Sequence, residues 1–319
     1  METQIITIDC GYVAPEVAAA YLLVRNGKAV FIDNNTRYAI PLLLQALEDQ
    51  GLAPQDVEYV VVTHVHLDHA GGSGPLMDAC AQARLLCHPR AARHLISPER
   101  LSERTRAVYG DDRFRELYGE LTPVPAERVC SVDDGEVVAW HGSQLEFYHT
   151  PGHAPHHLVV AERSSKSVFS GDAFGVAYPL LQRNGQLVLP TSPPADFDAE
   201  LSIASARRIA ALGCTAVYPT HFGRIPGTAT AALPSLEDGF HHYGRIVDTM
   251  AAQLLAGRPV HEIEQECRVQ VDAYVQARLD EAAVQLSTDE WELLGLDREL
   301  NAMGLAFAAG RRARKLNKA

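Results

Sequence analysis

Apolar and polar positions alternate in distinct textures along the chain. Over the first sixty residues, short apolar runs at 4–8, 18–25 and 29–33 read as strands, and Asn26-Gly27 between the last two is a hairpin signal. The period then changes: Ile40, Leu42, Leu43, Leu44, Ala46 and Leu47 recur at helical spacing over 38–50, with Gly51 closing the helix. Pro54 leads from there into an apolar strand at 57–63. Residues 75–83 read as helix, 84–87 as a short strand, and 89–118 as charged helical pieces broken at Pro98. Four β segments follow at 129–138, 144–149, 157–161 and 167–170, then a helix at 198–212 and a strand at 216–219. Beyond about 233 the pattern becomes helical, at 236–255, 260–279 and 297–316, with a break at Gly257-Arg258-Pro259. This predicts an α/β domain over 1–232 and a helical annex over 233–319. No internal repeat or low-complexity segment interrupts it.

Composition narrows the classes. With 319 residues and 47% hydrophobic positions, the chain can bury a substantial core. Its 28 Lys+Arg against 40 Asp+Glu leave a formal charge of −12, which repels a phosphate backbone, so no nucleic-acid partner is expected. No apolar run approaches the roughly 20 residues of a membrane span, and the N-terminus carries no basic region ahead of an apolar stretch. The expectation is a non-exported cytoplasmic protein without a membrane partner. Cys10, Cys80, Cys87, Cys130, Cys214 and Cys267 form no C-x-x-C pair, which fits reduced, mostly buried thiols.

The chemistry concentrates where the buried strand at 57–63 runs out into Thr63-His64-Val65-His66-Leu67-Asp68-His69-Ala70-Gly71-Gly72. Three imidazoles and a carboxylate within six residues suit a borderline divalent metal, because neutral imidazole nitrogen and carboxylate oxygen are its ligands. Alternate residues of an extended chain point the same way, so His64 and His66 can share one ion. Asp68 and His69, beyond the turn, can face a second. The plain alternative is a histidine-rich loop in solvent.

This segment resembles the T-H-x-H-x-D-H signature of the metallo-β-lactamase superfamily, which calls for further ligands in a set order downstream. Thr150-Pro151-Gly152-His153, Ser170-Gly171-Asp172 and Pro219-Thr220-His221-Phe222-Gly223 resemble the family's later motifs, each just after an apolar β-like run. The resemblance implies an αββα sandwich of two mixed β-sheets flanked by helices, with the C-terminal helical annex added. It also implies two divalent metal ions, one held by His64, His66 and His153, the other by Asp68, His69 and His221, with Asp172 bridging. A metal-bridging hydroxide would then be the nucleophile, with Asp68 and Asp172 as the catalytic carboxylates. Zinc is the default ion, and iron or manganese accept the same ligands.

Other residues carry weaker readings. His156 and His157 could hydrogen-bond a ligand or touch substrate, or simply begin a strand. Asp33 could orient a ligand or cap a turn. His157, Phe174, Tyr178 and Phe222 are candidate substrate contacts. His88, His94, His141 and His149 read as ordinary histidines, His241-His242 as a solvated helix face, and the basic tail 311–318 as a helix end favoured by the macrodipole.

Within the superfamily, departures from each branch matter more than the shared site. Most metallo-β-lactamases proper place Cys or Ser where this chain has Asp172. Glyoxalase II and the acyl-homoserine lactonases share all seven ligands, but the lactonases typically have a tyrosine three residues past the bridging aspartate, where Gly175 stands here. The chain resembles prokaryotic hydrolase-like members with H-x-H-L-D-H-A-G-G, G-H-A-x-H-H and a helical extension. The expectation is cleavage of an ester, thioester or lactone of a small molecule. The alternatives are a phosphoester hydrolase, a mononuclear iron sulfur dioxygenase, and a small-molecule-sensing effector with residual hydrolysis. The annex over 233–319 is expected to shape the cleft or a subunit contact, a homodimer included.

Overall fold

The structure, a computed structural model, describes residues 2–318, so the outermost positions of the two expected domains, 1 and 319, lie outside the described residues. It resolves into two compact units interleaved along the sequence. The first comprises Met1–His149, His156–Gly171 and Gly213–Arg224, and the second Thr150–Pro155, Asp172–Leu212 and Ile225–Ala319.

The first unit carries a six-stranded sheet of β1 (Gln4–Asp9), β2 (Ala19–Arg25), β3 (Lys28–Ile32), β4 (Val57–Val61), β5 (Arg84–Cys87) and β6 (Val129–Ser131), paired in that order. β1–β3 pair antiparallel and β3–β6 parallel. The β2–β3 hairpin turns on Asn26 and Gly27, both at positive φ (51° and 73°), as a two-residue turn compatible with strand twist requires. A second, five-stranded sheet runs β11 (Ala216–Pro219), β10 (Ser167–Gly171), β9 (Leu158–Glu162), β8 (Ser143–His149) and β7 (Val137–Trp140). Only β10–β11 is parallel, so both sheets are mixed.

Residue alternation explains how the sheets stack. In β2, Ala19, Tyr21 and Leu23 enter the core shared with Leu145, Phe147 and Phe169 of the second sheet, whereas Ala20 and Leu22 face the opposite way. That opposite face packs under α1 (Ile40–Asp49) and the helices that follow β4 and β5. These are α2 (Leu67–Ala70), α3 (Ser73–Ala79), α4 (Pro89–Ile96) and α5 (Glu99–Tyr109), whereas α6 (Asp111–Tyr118) buries Phe114, Leu117 and Tyr118 in a separate cluster with Tyr12, Ala18 and Leu67. The single β segment expected at 129–138 is instead two strands in different sheets, β6 and β7, because Asp133-Asp134-Gly135, with Gly135 at φ 81°, breaks the run.

The second unit is helical, with α7 (Ala199–Ala211), α8 (Ala229–Leu255), α9 (Val260–Glu281), α10 (Thr288–Leu293) and α11 (Gly295–Leu316). α8 begins upstream of the expected 236, because the Thr228 side chain caps the Ala231 amide and the helix continues through Pro234. The chain thus has two mixed sheets flanked by helices and a C-terminal helical region. Among the described residues, no helix is long and apolar enough to cross a membrane.

Candidate metal centre

In the first unit, β4 ends at Val61 and the chain emerges through Thr63 and His64 into the one-turn helix α2, which contains Asp68 and His69. His221 enters from another strand, two residues beyond β11. The ends of β3, β4 and β11 meet on Asp33, which is fully buried. Its carboxylate accepts from the Thr63 amide (2.8 Å), the Thr63 hydroxyl (2.9 Å) and the Thr220 hydroxyl (2.8 Å), and it pairs with His69 Nδ1 at 2.8 Å. Of the two readings of Asp33, orienting a histidine is the one the geometry bears out. Each threonine immediately precedes a histidine of the cluster, so the repeated Thr-His pair was the available signal for this network.

The same logic sets the other rings. Thr63 gives its proton to Asp33, so at the 3.2 Å contact His64 Nδ1–H donates to the Thr63 oxygen. His221 Nδ1–H donates to the Val17 carbonyl at 2.8 Å. In the second unit, the Thr191 hydroxyl donates to the Asp172 carbonyl (3.3 Å) and so accepts from His153 Nδ1–H at 3.0 Å. With Nδ1 committed as a donor in all four imidazoles, Nε2 is the atom each ring has left to offer a ligand. This arrangement of committed outer nitrogens is typical of metal-ligating histidines.

The Nε2 atoms approach carboxylate oxygens at ligand spacing. In the first unit Asp68 Oδ2 lies 3.3 Å from His221 Nε2 and 3.7 Å from His69 Nε2, and the ligand atoms of Asp68, His69 and His221 all fall within 4.8 Å of one another. In the second, His153 Nε2 lies 3.3 Å from Asp172 Oδ2. A tetrahedral zinc with bonds of about 2.0–2.1 Å has an edge of roughly 3.3 Å, so the donor sets fit a divalent ion. His64 packs in the same unit edge-on against His66 and at a tilt against His69, at ring separations of 4.4 and 4.0 Å. His156 stands 6.0 Å from His66, and burial, with crowding by His66, His157, His94 and His88, pushes it down to about 2.

His153 and Asp172 each follow a strand of the first unit within four residues, and a glycine precedes each. Gly152 has φ 130°, and a Cβ there would come within 2.3 Å of the Ser202 amide nitrogen. Gly171, at φ 49°, would drive a Cβ to 2.6 Å from His157 Nε2 and 2.8 Å from the Thr63 hydroxyl. The expected substrate contacts are placed differently from one another. His157, Phe174 and Tyr178 are buried, and the Tyr178 hydroxyl donates to Asp297. Phe222 is half-buried against the core between the sheets.

A two-sheet fold with histidines and aspartates at its strand ends defines a class of metal-binding proteins, and comparison with known proteins makes it specific. The model of the metallo-beta-lactamase superfamily matches residues 13–221, and the chain belongs to that family, among relatives named as hydrolases. It is 28% identical over 215 residues to the metallo-beta-lactamase fold-containing protein ST1585 of Sulfurisphaera tokodaii, covering 66% of this chain and 75% of the relative. An N-acyl homoserine lactonase from a Bacillus species is 26% identical over 170 residues, covering 52% of this chain and 55% of the lactonase. The crystal structure of ST1585 superposes with a TM-score of 0.65 at 23% identity, over 94% of this chain and 97% of that one. The metallo-beta-lactamase family protein TTHA1429 from Thermus thermophilus superposes with a TM-score of 0.61 at 23% identity, over 99% and 94%.

Proposed function

We propose that this protein is a dinuclear metal-dependent hydrolase that cleaves an ester, thioester or lactone of a small molecule. The observation that carries this reading is the commitment of Nδ1 in His64, His69, His153 and His221, which turns four Nε2 atoms into metal donors beside Asp68 and Asp172. His64, His66 and His153 would hold one ion, Asp68, His69 and His221 the other, and Asp172 would bridge them, with zinc the ion these donors suit best. Bound divalent ions supply water activation near neutral pH and polarisation of the substrate carbonyl.

The chain's own residues hold the rings in one orientation and, through Asp33, fix His69 against rotation. The lactonase relative favours carboxylic ester chemistry over phosphoester chemistry. The helical segment 233–319 is proposed to shape the substrate cleft or a subunit contact, and the working location is the cytoplasm.

Metal analysis of protein purified without added metal, run alongside a panel of 4-nitrophenyl esters, thioesters and lactones, tests this reading. Two ions per chain and ester turnover abolished in Asp172→Ala are expected. One iron per chain with no ester turnover would overturn it in favour of oxygen chemistry.

A further inference from the structure

The first unit holds a second feature that the metal cluster does not use. A surface cavity of about 630 Å³ opens on α4 and α5, lined by Arg93, His94, Ser97, Glu99, Arg100, Glu103 and Arg104. In a chain of net charge −12, three guanidiniums against two carboxylates run counter to the average surface. Neighbouring arginines are neutralised: Arg106 pairs with Asp111 and Glu120, Arg113 with Glu116, and Arg115 with Asp112. Among the described residues, by contrast, Arg93, Arg100 and Arg104 form no ion pair, and Arg93 Nε meets only the His94 ring, at 3.2 Å.

The cavity is linked to the metal cluster through packed rings. His94 lies 6.3 Å from His156, and His156 lies 6.0 Å from His66 and 6.3 Å from His64. His94, which lines the cavity with the three guanidiniums, therefore stands two ring spacings from the cluster. Arginine forks match planar carboxylate and phosphate oxygens, and unpaired cations beside a reaction centre concentrate and orient an anion.

We propose that this cavity is a subsite for an anionic group, a carboxylate or phosphate, carried by the substrate at the end remote from its scissile bond. The proposal rests on the hydrolase reading above, and it assigns specificity to Arg93, Arg100 and Arg104, three exposed residues outside the metal donors. The substrate class is then an anionic ester, thioester or lactone in preference to a neutral one.

The test compares wild-type protein with Arg93→Gln/Arg100→Gln/Arg104→Gln on mono-4-nitrophenyl suberate and on neutral 4-nitrophenyl octanoate. Calorimetric binding of suberanilic acid, whose amide resists cleavage, is measured beside it. The triple variant is expected to lose about tenfold in kcat/KM on the anionic ester, to stay within about twofold on the neutral one, and to bind suberanilic acid about tenfold more weakly. Glu99→Gln/Glu103→Gln should shift the ester preference the opposite way, which guards against a variant that merely unfolds. If esters are hydrolysed and neither the preference nor the binding changes, the subsite is wrong and the hydrolase reading stands. If no ester is hydrolysed but suberanilic acid binding still depends on the arginines, the subsite stands and the hydrolase reading falls. Unchanged binding in the absence of hydrolysis overturns both.

Discussion

Asp33 shows how much can depend on one buried side chain. It sits at φ 55° just past β3 and gathers donors from Thr63 and Thr220 together with the His69 ring. Truncation to alanine leaves these donors buried without an acceptor, a loss of about 3 kcal/mol for the set, and frees His69 to rotate. Asp33→Ala should therefore melt earlier and bind less metal, read by calorimetry and elemental analysis. Wild-type metal content in that variant would remove Asp33 from the account of the centre.

His88 offers a pH test at the same scale. Burial, followed by the neighbouring His149 and Arg90, holds it down to about 4, and its Nδ1 caps α4 by accepting from the Arg90 amide at 3.0 Å. An imidazole depressed in the folded state contributes stability that is present above the unfolded pKa of about 6.5 and lost as pH falls towards 4. His88→Asn keeps a capping acceptor but does not titrate, so its Tm should fall less than that of the wild type between pH 7 and pH 5. Parallel Tm–pH curves would show that His88 carries none of the acid sensitivity.

At the scale of elements, strand ends deliver the chemistry, and a glycine sets the approach to His153 and to Asp172. In β10 every residue is buried, and the chain leaves it through Gly171 directly into Asp172. Gly171→Ala must displace His157 or Thr63 and adopt a left-handed backbone, a strain of about 1–3 kcal/mol, next to the proposed bridge. We expect reduced metal content and turnover with far-ultraviolet circular dichroism little changed. A variant with full metal occupancy and activity would show that the loop can absorb the added methyl. The fold's elements are largely legible in the sequence at this scale. The helix at 40–49, the hairpin at Asn26-Gly27 and the strands of both sheets follow from period and turn chemistry. Residues 129–138 read as one strand because an apolar run crosses a tight turn, and the short helix α10 is hidden because six residues hold too little periodicity to stand out.

At the scale of the molecule, the C-terminal helices matter through the packing of their own unit. Phe197 meets Phe240 and Tyr243 at ring separations of 6.4 and 6.2 Å, and the Ser192 amide donates to the Asn301 side chain at 2.5 Å. Arg183 forms an ion pair with Glu290, and hydrogen bonding from Arg183 and the Ser287 amide holds that carboxyl down to about 2. Truncation after Pro226 strips these partners from the loop at 172–198 and from α7, exposing aromatic surface worth about 2 kcal/mol per buried side chain. The shortened protein should be insoluble or aggregate on gel filtration. A soluble, metal-loaded form with the same substrate ranking would make the helical region dispensable. Metal removal is a gentler whole-molecule probe: chelation should lower Tm, because ions that bind only the folded state stabilise it by mass action. An unchanged Tm after verified metal loss would separate the centre from stability.

The sequence by itself determined the order of strands and helices and of the His/Asp motifs, because periodicity and ligand spacing are local properties written in consecutive residues, and the αββα class and the family followed from the resemblance those motifs carry. It also flagged Asp33 as one of two alternatives. Only the tertiary structure decided between them, and only it revealed Thr63, Thr191, Thr220 and the Val17 carbonyl as members of the network that holds the histidine rings. Most of these contacts join residues distant in the chain, 36 positions from Asp33 to His69 and 204 from Val17 to His221. The unpaired arginines of α4 and α5 were likewise hidden, since composition shows an acidic protein and only packing shows which cations lack a counter-charge. The physical reason is the same in both cases: a hydrogen bond or an ion pair is fixed by separation in space, and separation along the chain does not constrain it.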